Sequence, residues 1–162
     1  MPEYSPQEIL KIAINVEENG LRFYETLEKR AVIDCVKEVW KYLKEQESAH
    51  KRVFKEMLDC APDYITYEYS PGEYNAYLRA ISSSFIFIPE LIKKKTEEVA
   101  YSDKDAVDFG IQIEKDSILV YSALKEYIKL DKQSALNKVI EEEKNHLIRL
   151  TLFKEGLIDI NS

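Results

Sequence analysis

The sequence has little of what disulfide-rich, thiolate-metal and membrane proteins need. Its 162 residues include two cysteines, Cys35 and Cys60, which form no Cys-x-x-Cys pair. A disulfide framework or a thiolate-bound zinc or iron site is therefore not expected. Apolar runs are short: the Phe/Ile run at residues 85–88 ends at Pro89, whereas a membrane helix needs roughly 20 residues.

Positive charge is also scarce. Lys and Arg number 23 against 30 Asp and Glu, which gives a formal net charge of −7. Because nucleic acids and anionic membrane surfaces are bound through cationic faces, neither partner is expected. The first ten residues, MPEYSPQEIL, show no secretory signal, so a cytoplasmic location is expected.

Turn-forming residues are few, with four Gly and five Pro in a chain that is 45% hydrophobic and 33% charged. This composition predicts a globular protein of long helices, and the length suits one domain over residues 1–162. One or two shorter helices are expected within residues 72–100. Apolar residues at helical spacing predict long helices at about 6–30, 34–59, 103–129 and 132–155.

Local signals mark the ends of these helices. The SPQE segment at residues 5–8 has the pattern of a capping box with proline at N1, and the acidic segment 102–105 favours a helix start. Asp131 is the predicted N-cap of the last helix and Gly156 its end. Two antiparallel helix pairs joined by a long crossover predict an all-α, ferritin-like four-helix bundle.

The chain holds two histidines, and each has a glutamate three positions earlier: Glu47-x-x-His50 and Glu143-x-x-His146. Residues at i and i+3 share a helix face, so each pair can present a carboxylate and an imidazole to one metal centre. Both pairs lie on the apolar stripe of their helices, where a carboxylate is unusual unless something pairs with it.

These pairs belong to an internal repeat. Glu17 lies 30 residues before Glu47, and Glu114 lies 29 residues before Glu143. A tyrosine follows each of the two upstream glutamates by seven positions, and the two copies are offset by 96–97 residues.

The combined donor set suits two first-row metal ions. Four carboxylates and two imidazoles, drawn from four helices, can complete two coordination spheres. Four carboxylate charges balance two divalent cations, whereas without metal they would repel and be costly to bury. The candidate ligands are Glu17, Glu47, His50, Glu114, Glu143 and His146.

Other residues lie close to these ligands along the sequence. Tyr24 and Tyr121 are candidate catalytic residues through hydrogen bonds to ligating carboxylates across the cluster, with simple core packing as the alternative. Gly20 and Ser117 are small and would leave room for an exogenous ligand, while Trp40 is expected to pack in the core. Four further glutamates are expected to face solvent or to lie behind the ligands: Glu18, Glu45, Glu141 and Glu142.

Over about residues 6–155 the chain resembles the rubrerythrin-like branch of the ferritin-like superfamily. The segments EENGLRFY at 17–24 and IEKDSI at 113–118 carry the resemblance, together with the two Glu-x-x-His pairs. The resemblance implies a non-haem di-iron centre in which the six candidate ligands hold two iron ions, although manganese or a mixed pair suits the same donors. It also implies that Glu47 and Glu143 bridge the ions, with Glu17 and Glu114 as terminal ligands.

Two features depart from that family's pattern. Rubrerythrins carry a further carboxylate one turn from the third-helix ligand, where this chain has Ile111 and Ser117, so their peroxide-linked ligand exchange is in doubt. The chain also has no Cys-x-x-Cys knuckle, so electrons are expected from an external donor such as a rubredoxin-like protein. The resemblance further implies a homodimer.

Three functions remain open from the sequence. The favoured one is a di-iron oxidoreductase that reduces peroxide or dioxygen. The second is a ferroxidase or iron-handling protein that oxidises Fe(II) and passes it on. The third is a metal-free helical interaction module that uses the tyrosine-rich segment 64–77 as its surface.

Overall fold

The computed structural model describes residues 6–61 and 102–160, which form four α-helices and one short 3-10 helix. The four helices are α1 (Pro6–Arg30), α2 (Asp34–Asp59), α3 (Asp103–Lys125) and α4 (Ser134–Ile160). Four long helices were predicted at these places, and this prediction is confirmed. The shorter helices predicted within 72–100 and the tyrosine-rich segment lie outside the described residues.

The starts of α1 and α3 follow the local signals in the sequence. Helix α1 begins at Pro6, the position at which proline costs no hydrogen bond. At α3 the Ser102 hydroxyl accepts a hydrogen bond from the backbone N–H of Asp105 at 3.1 Å. Asp103 and Asp105 add negative charge where the helix dipole is positive.

The turn between α3 and α4 corrects the prediction. Helix α3 ends at Lys125 rather than 129, and α4 begins at Ser134 rather than 132. Ile128 is buried, because the chain turns into the core directly after α3. The Gln133 side chain closes this turn by donating to the carbonyls of Lys125 and Ile128, at 3.1 and 2.9 Å. Asp131 therefore lies in the 3-10 helix Leu130–Lys132 and does not cap α4.

The prediction that Gly156 ends the last helix is wrong, since α4 continues to Ile160. A glycine that terminates a helix usually adopts a positive φ, and no residue in the described ranges does so. Gly156 has open space where a Cβ would stand. Gly156 is an exposed helical residue, and a larger side chain would fit there without a clash.

Two apolar clusters fill opposite ends of the bundle. The first cluster joins the start of α1, the ends of α2 and α3 and the start of α4, including Leu10, Phe54, Leu124 and Leu136. The second cluster joins the opposite halves of the same helices, including Phe23, Trp40, Val107 and Leu150. The chain therefore runs from the first cluster to the second in α1 and α4, and in the reverse direction in α2 and α3.

This arrangement makes α1 and α2 antiparallel, as are α3 and α4, while α2 and α3 run the same way. The end of α2 and the start of α3 thus lie at opposite ends of the bundle. Within the described residues, none of the helices has an apolar stretch long enough to cross a membrane.

Candidate metal centre

All six candidate ligands lie in the layer between the two apolar clusters, and each is at most 1% exposed. Each of the four described helices contributes: Glu17 from α1, Glu47 and His50 from α2, Glu114 from α3, and Glu143 and His146 from α4. Because residues three apart share a helix face, α2 and α4 each direct a carboxylate and an imidazole towards the bundle axis. The structure therefore brings together all the residues that the sequence identified as candidate ligands.

The six side chains form two overlapping groups of four. Glu17 and His50 stand on one side of the cluster, and Glu114 and His146 stand on the other. Glu47 and Glu143 belong to both groups. In each group the ligand atoms lie within 4.8 Å of one another. Each group thus contains three carboxylates and one imidazole, with two carboxylates shared between them.

Both imidazoles turn Nδ1 towards the carboxylates. His50 Nδ1 is 2.9 Å from Glu143 Oε1 and 3.7 Å from Glu17 Oε2. His146 Nδ1 is 3.0 Å from Glu143 Oε2 and 3.5 Å from Glu114 Oε2. The two rings are nearly parallel, with centroids 5.6 Å apart and an interplanar angle of 23°. Both imidazoles therefore contact the same carboxylate, that of Glu143.

The two candidate catalytic tyrosines make reciprocal hydrogen bonds between α1 and α3. The Tyr24 hydroxyl donates to Glu114 Oε1 at 2.5 Å, and the Tyr121 hydroxyl donates to Glu17 Oε1. Both tyrosines are fully buried. Each hydroxyl therefore holds one oxygen of a carboxylate on the other helix.

The small residues one turn after the upstream glutamates lie against the cluster. A Cβ added at Gly20 would come within 2.6 Å of Glu47 Oε2, so the carboxylate occupies the space that a side chain would need. Ser117, at the corresponding place in α3, is buried in the same layer as the ligands. A side chain at position 20 would therefore displace the end of the Glu47 side chain.

Of the four glutamates expected to face solvent or to lie behind the ligands, one contacts a candidate ligand. Glu142 Oε2 accepts a hydrogen bond from His50 Nε2 at 3.0 Å, with its side chain 34% exposed. Glu18 pairs with Arg22 and Lys51, and Glu45 and Glu141 are exposed. Glu142 therefore lies directly behind a candidate ligand, whereas the other three do not.

The sequence did not predict the neighbours of His146. The Tyr42 ring of α2 meets the His146 ring edge-on, with centroids 5.8 Å apart at 89°. The Arg149 guanidinium lies 4.6 Å from the centroid of the Tyr42 ring. The internal repeat contained a signal for this difference. Tyr42 aligns with Lys138 of the second copy, so the two copies carry different side chains at this position.

Burial and mutual repulsion disfavour charge on three of the carboxylates. Burial raises the pKa of Glu17 and Glu47 well above 4.5, and repulsion by the surrounding carboxylates adds to this effect. Burial, followed by the charge of Glu143, raises the pKa of Glu114 to about 8. The centre therefore strongly favours protons or cations among these oxygens.

Glu143 differs because both imidazoles contact it. Burial alone would raise its pKa, but the His146 and His50 imidazoles outweigh this effect and place the pKa below 4.5. Burial opposes charge on His146, yet its contacts with Glu114 and Glu143 raise its pKa to about 11. Contacts with the two imidazoles thus favour the ionised form of Glu143, in contrast to the other three carboxylates.

The donor atoms fit a pair of metal ions. Several buried carboxylate oxygens have no hydrogen-bond partner within the described ranges, among them Glu17 Oε2, Glu47 Oε1 and Glu114 Oε2. Unpaired buried oxygens are costly unless a cation satisfies them. Ions held at about 2.0–2.2 Å from each donor would bring neighbouring donors about 3–4 Å apart, which is compatible with the spacing of each group.

Comparison with known proteins agrees with this geometry. Residues 8–154 match the family model described as Rubrerythrin. A crystal structure of a Thermotoga maritima protein, described as a ferritin-like diiron-carboxylate protein, is 27% identical with a TM-score of 0.67. The match covers 96% of this chain and 97% of that one. No curated protein matches the chain. With four helices in this topology and a family match over most of its length, the chain belongs to the rubrerythrin family.

Proposed function

We propose that the protein is a non-haem di-iron oxidoreductase that reduces peroxide or dioxygen with electrons from an external donor. The observation that carries this proposal is the pair of buried four-residue groups that share Glu47 and Glu143. Two overlapping groups of this kind suit two ions side by side rather than one. The alternative of a metal-free interaction module leaves the cost of burying these unpaired carboxylates unexplained.

The assignment of ligands follows the grouping. Glu17 and His50 would hold one iron ion, and Glu114 and His146 would hold the other. Glu47 and Glu143 would bridge the two ions, because each belongs to both groups. When bound, the iron pair supplies two electrons to one oxidant at a single site.

The chain's own residues keep the site rigid and dry. The Tyr24 and Tyr121 hydroxyls fix the carboxylates of Glu114 and Glu17 by hydrogen bonds across the bundle. We assign both tyrosines a positioning role, since each donates to a ligand oxygen. The two apolar clusters exclude water from either end of the layer that contains the ligands.

The buried position one turn after Glu114 holds Ser117, whose side chain is shorter than a carboxylate side chain. We therefore place the oxidant, peroxide or dioxygen, on this side of the cluster. A rubredoxin-like electron donor, a homodimer, a cytoplasmic location and a single domain over residues 1–162 remain predictions.

A single-mixing experiment tests the reaction. The protein is loaded anaerobically with Fe(II) and mixed with hydrogen peroxide or with dioxygen, and the near-UV absorption of the ferric pair is followed. We expect rapid two-electron oxidation by at least one oxidant and recovery of the ferrous state when a one-electron donor is added. Loaded protein that reacts with neither oxidant would contradict the proposal.

A ferroxidase is the second candidate, and the side chain at position 117 favours it. Serine leaves six candidate ligands without a further carboxylate at this position, so among residues 6–61 and 102–160 the two ligand groups alone would retain iron after oxidation. The same experiment separates the two functions. A ferroxidase would consume dioxygen in proportion to added Fe(II) and release ferric ion, whereas an oxidoreductase would retain its two ions through repeated cycles.

A further inference from the structure

The two histidines have different surroundings on the side away from the carboxylate cluster. His50 Nε2 donates to Glu142 Oε2 at 3.0 Å, and the Lys138 ammonium lies 3.8 Å from the other oxygen of Glu142. The donated proton fixes the tautomer of His50, so Nδ1 is left to face the carboxylate cluster. An ionic partner therefore stands behind this imidazole.

Behind His146 the surroundings are aromatic. Its Nε2 atom is buried and has no hydrogen-bond partner among residues 6–61 and 102–160. The Tyr42 ring lies edge-on beside the imidazole, 5.8 Å away between centroids. In the internal repeat, Glu142 corresponds to Gln46, because each residue directly precedes the glutamate of its Glu-x-x-His pair. The anionic partner is thus present in one copy and replaced by a neutral amide in the other.

This difference has a direct effect on metal binding. A carboxylate that accepts the outer N–H of an imidazole raises the basicity of the ligating nitrogen and holds the ring in place. Removal of such a partner typically lowers metal affinity by about 10–100-fold. Since the remaining donors of the two groups are the same in kind and share Glu47 and Glu143, this outer partner is the main chemical difference between them.

We propose that the two metal positions are inequivalent, and that Glu142 makes the His50 position the tighter one and the first to be filled. This inference rests on the proposed di-metal function and adds an order of loading to it. Glu142 acts through His50 and is a positioning residue. The first copy of the repeat has Gln46 where the second copy has Glu142. The His146 position therefore serves as the comparison for the His50 position.

Anaerobic calorimetric titration with Fe(II) alone tests the proposal. The wild type should take up two ions in two steps whose affinities differ by about tenfold or more. Glu142→Gln keeps a hydrogen-bond acceptor but removes the charge, and it should weaken the first step until the two steps differ by less than about threefold. Glu141→Gln, on the exposed neighbouring position, should behave as the wild type.

A second pair of variants identifies which of the two metal positions gives the tight binding step. His146→Ala should retain the tight step, and His50→Ala should lose it. Two-ion uptake in a single step by the wild type, or a Glu142→Gln titration that equals the wild type, would overturn the inference while leaving the di-metal function intact. A wild type that takes up no Fe(II) would contradict the proposed function itself, and the order of loading with it.

Discussion

The α1–α2 and α3–α4 hairpins provide the same candidate ligands but surround them differently. Tyr24 stacks on Trp40, with ring centroids 5.9 Å apart at 12°, whereas Tyr121 packs against Phe54 at 46°. The difference shows that the carboxylates, imidazoles and phenol hydroxyls are maintained in both copies, while their packing partners diverge. The internal repeat therefore specifies donor positions rather than a particular core.

Removal of a shared carboxylate should have the largest effect. Glu47→Ala changes the first hairpin and Glu143→Ala the second, and each residue belongs to both ligand groups. We expect each variant to lose two-metal binding entirely, while circular dichroism still reports a helical protein. Metal content per chain after anaerobic loading is the measurement. Glu45→Ala, at an exposed position, is the control, and equal metal content in all three would refute the ligand assignment.

The next test compares the small residues of the two hairpins. Gly20→Ala places a Cβ where the Glu47 carboxylate lies, whereas Ser117→Ala only removes a hydroxyl. We expect Gly20→Ala to weaken Fe(II) binding by about 10–100-fold and Ser117→Ala to change it by less than about threefold. The end of a glutamate can rotate away, so the free energy of unfolding should change little in either variant. Similar metal affinities for the two variants would show that metal binding does not depend on the position of the Glu47 carboxylate beside Gly20.

Phenylalanine at each tyrosine shows whether the hydroxyl or the ring is needed. Tyr24→Phe and Tyr121→Phe each leave a buried carboxylate oxygen without its donor, which typically costs about 1–3 kcal/mol. Because both hydroxyls make the same bond, we expect equal losses from the two variants in urea unfolding of the metal-free protein. No loss in either variant would instead assign the role to the aromatic rings, whose packing phenylalanine preserves.

The pH dependence of metal-free stability should give the smallest effect. In the folded chain the pKa of Glu114 is raised from 4.5 to about 8, and that of His146 from 6.5 to about 11. A group with a raised pKa in the folded state stabilises it fully below the unfolded pKa and loses this contribution as pH rises through the folded value. The lowered pKa of Glu143 contributes in the opposite sense, but only at pH values around and below 4.5.

We therefore expect the Tm of the metal-free protein to fall between pH 5 and pH 9 by several degrees, since about 1 kcal/mol shifts Tm by about 2–4 °C in a chain of this size. Thermal melts in the presence of a chelator measure this. With Fe(II) bound the fall should diminish, because metal binding displaces these protons and strengthens as pH rises. A Tm of the metal-free protein that rises over this range would contradict the described burial of Glu114.

The clustering of the six candidate ligands could be predicted from the sequence because it depends on spacing within helices. The i, i+3 pairs and the offset of the repeat needed no knowledge of how helices pack. The turn after α3 could not be predicted, because Gln133 reaches the carbonyls of Lys125 and Ile128 only once the chain has folded back. The contacts from Glu142 to His50 and from Tyr42 to His146 depend on the axial register between α2 and α4, which the sequence does not encode locally.

The central claim is that two metal ions lie between Glu47 and Glu143. Crystals of the iron-loaded protein, measured on both sides of the iron absorption edge, test it most directly. We expect two anomalous peaks per chain in the buried layer, one beside His50 Nδ1 and the other beside His146 Nδ1. A single peak, or iron found only at surface carboxylates, would contradict the account.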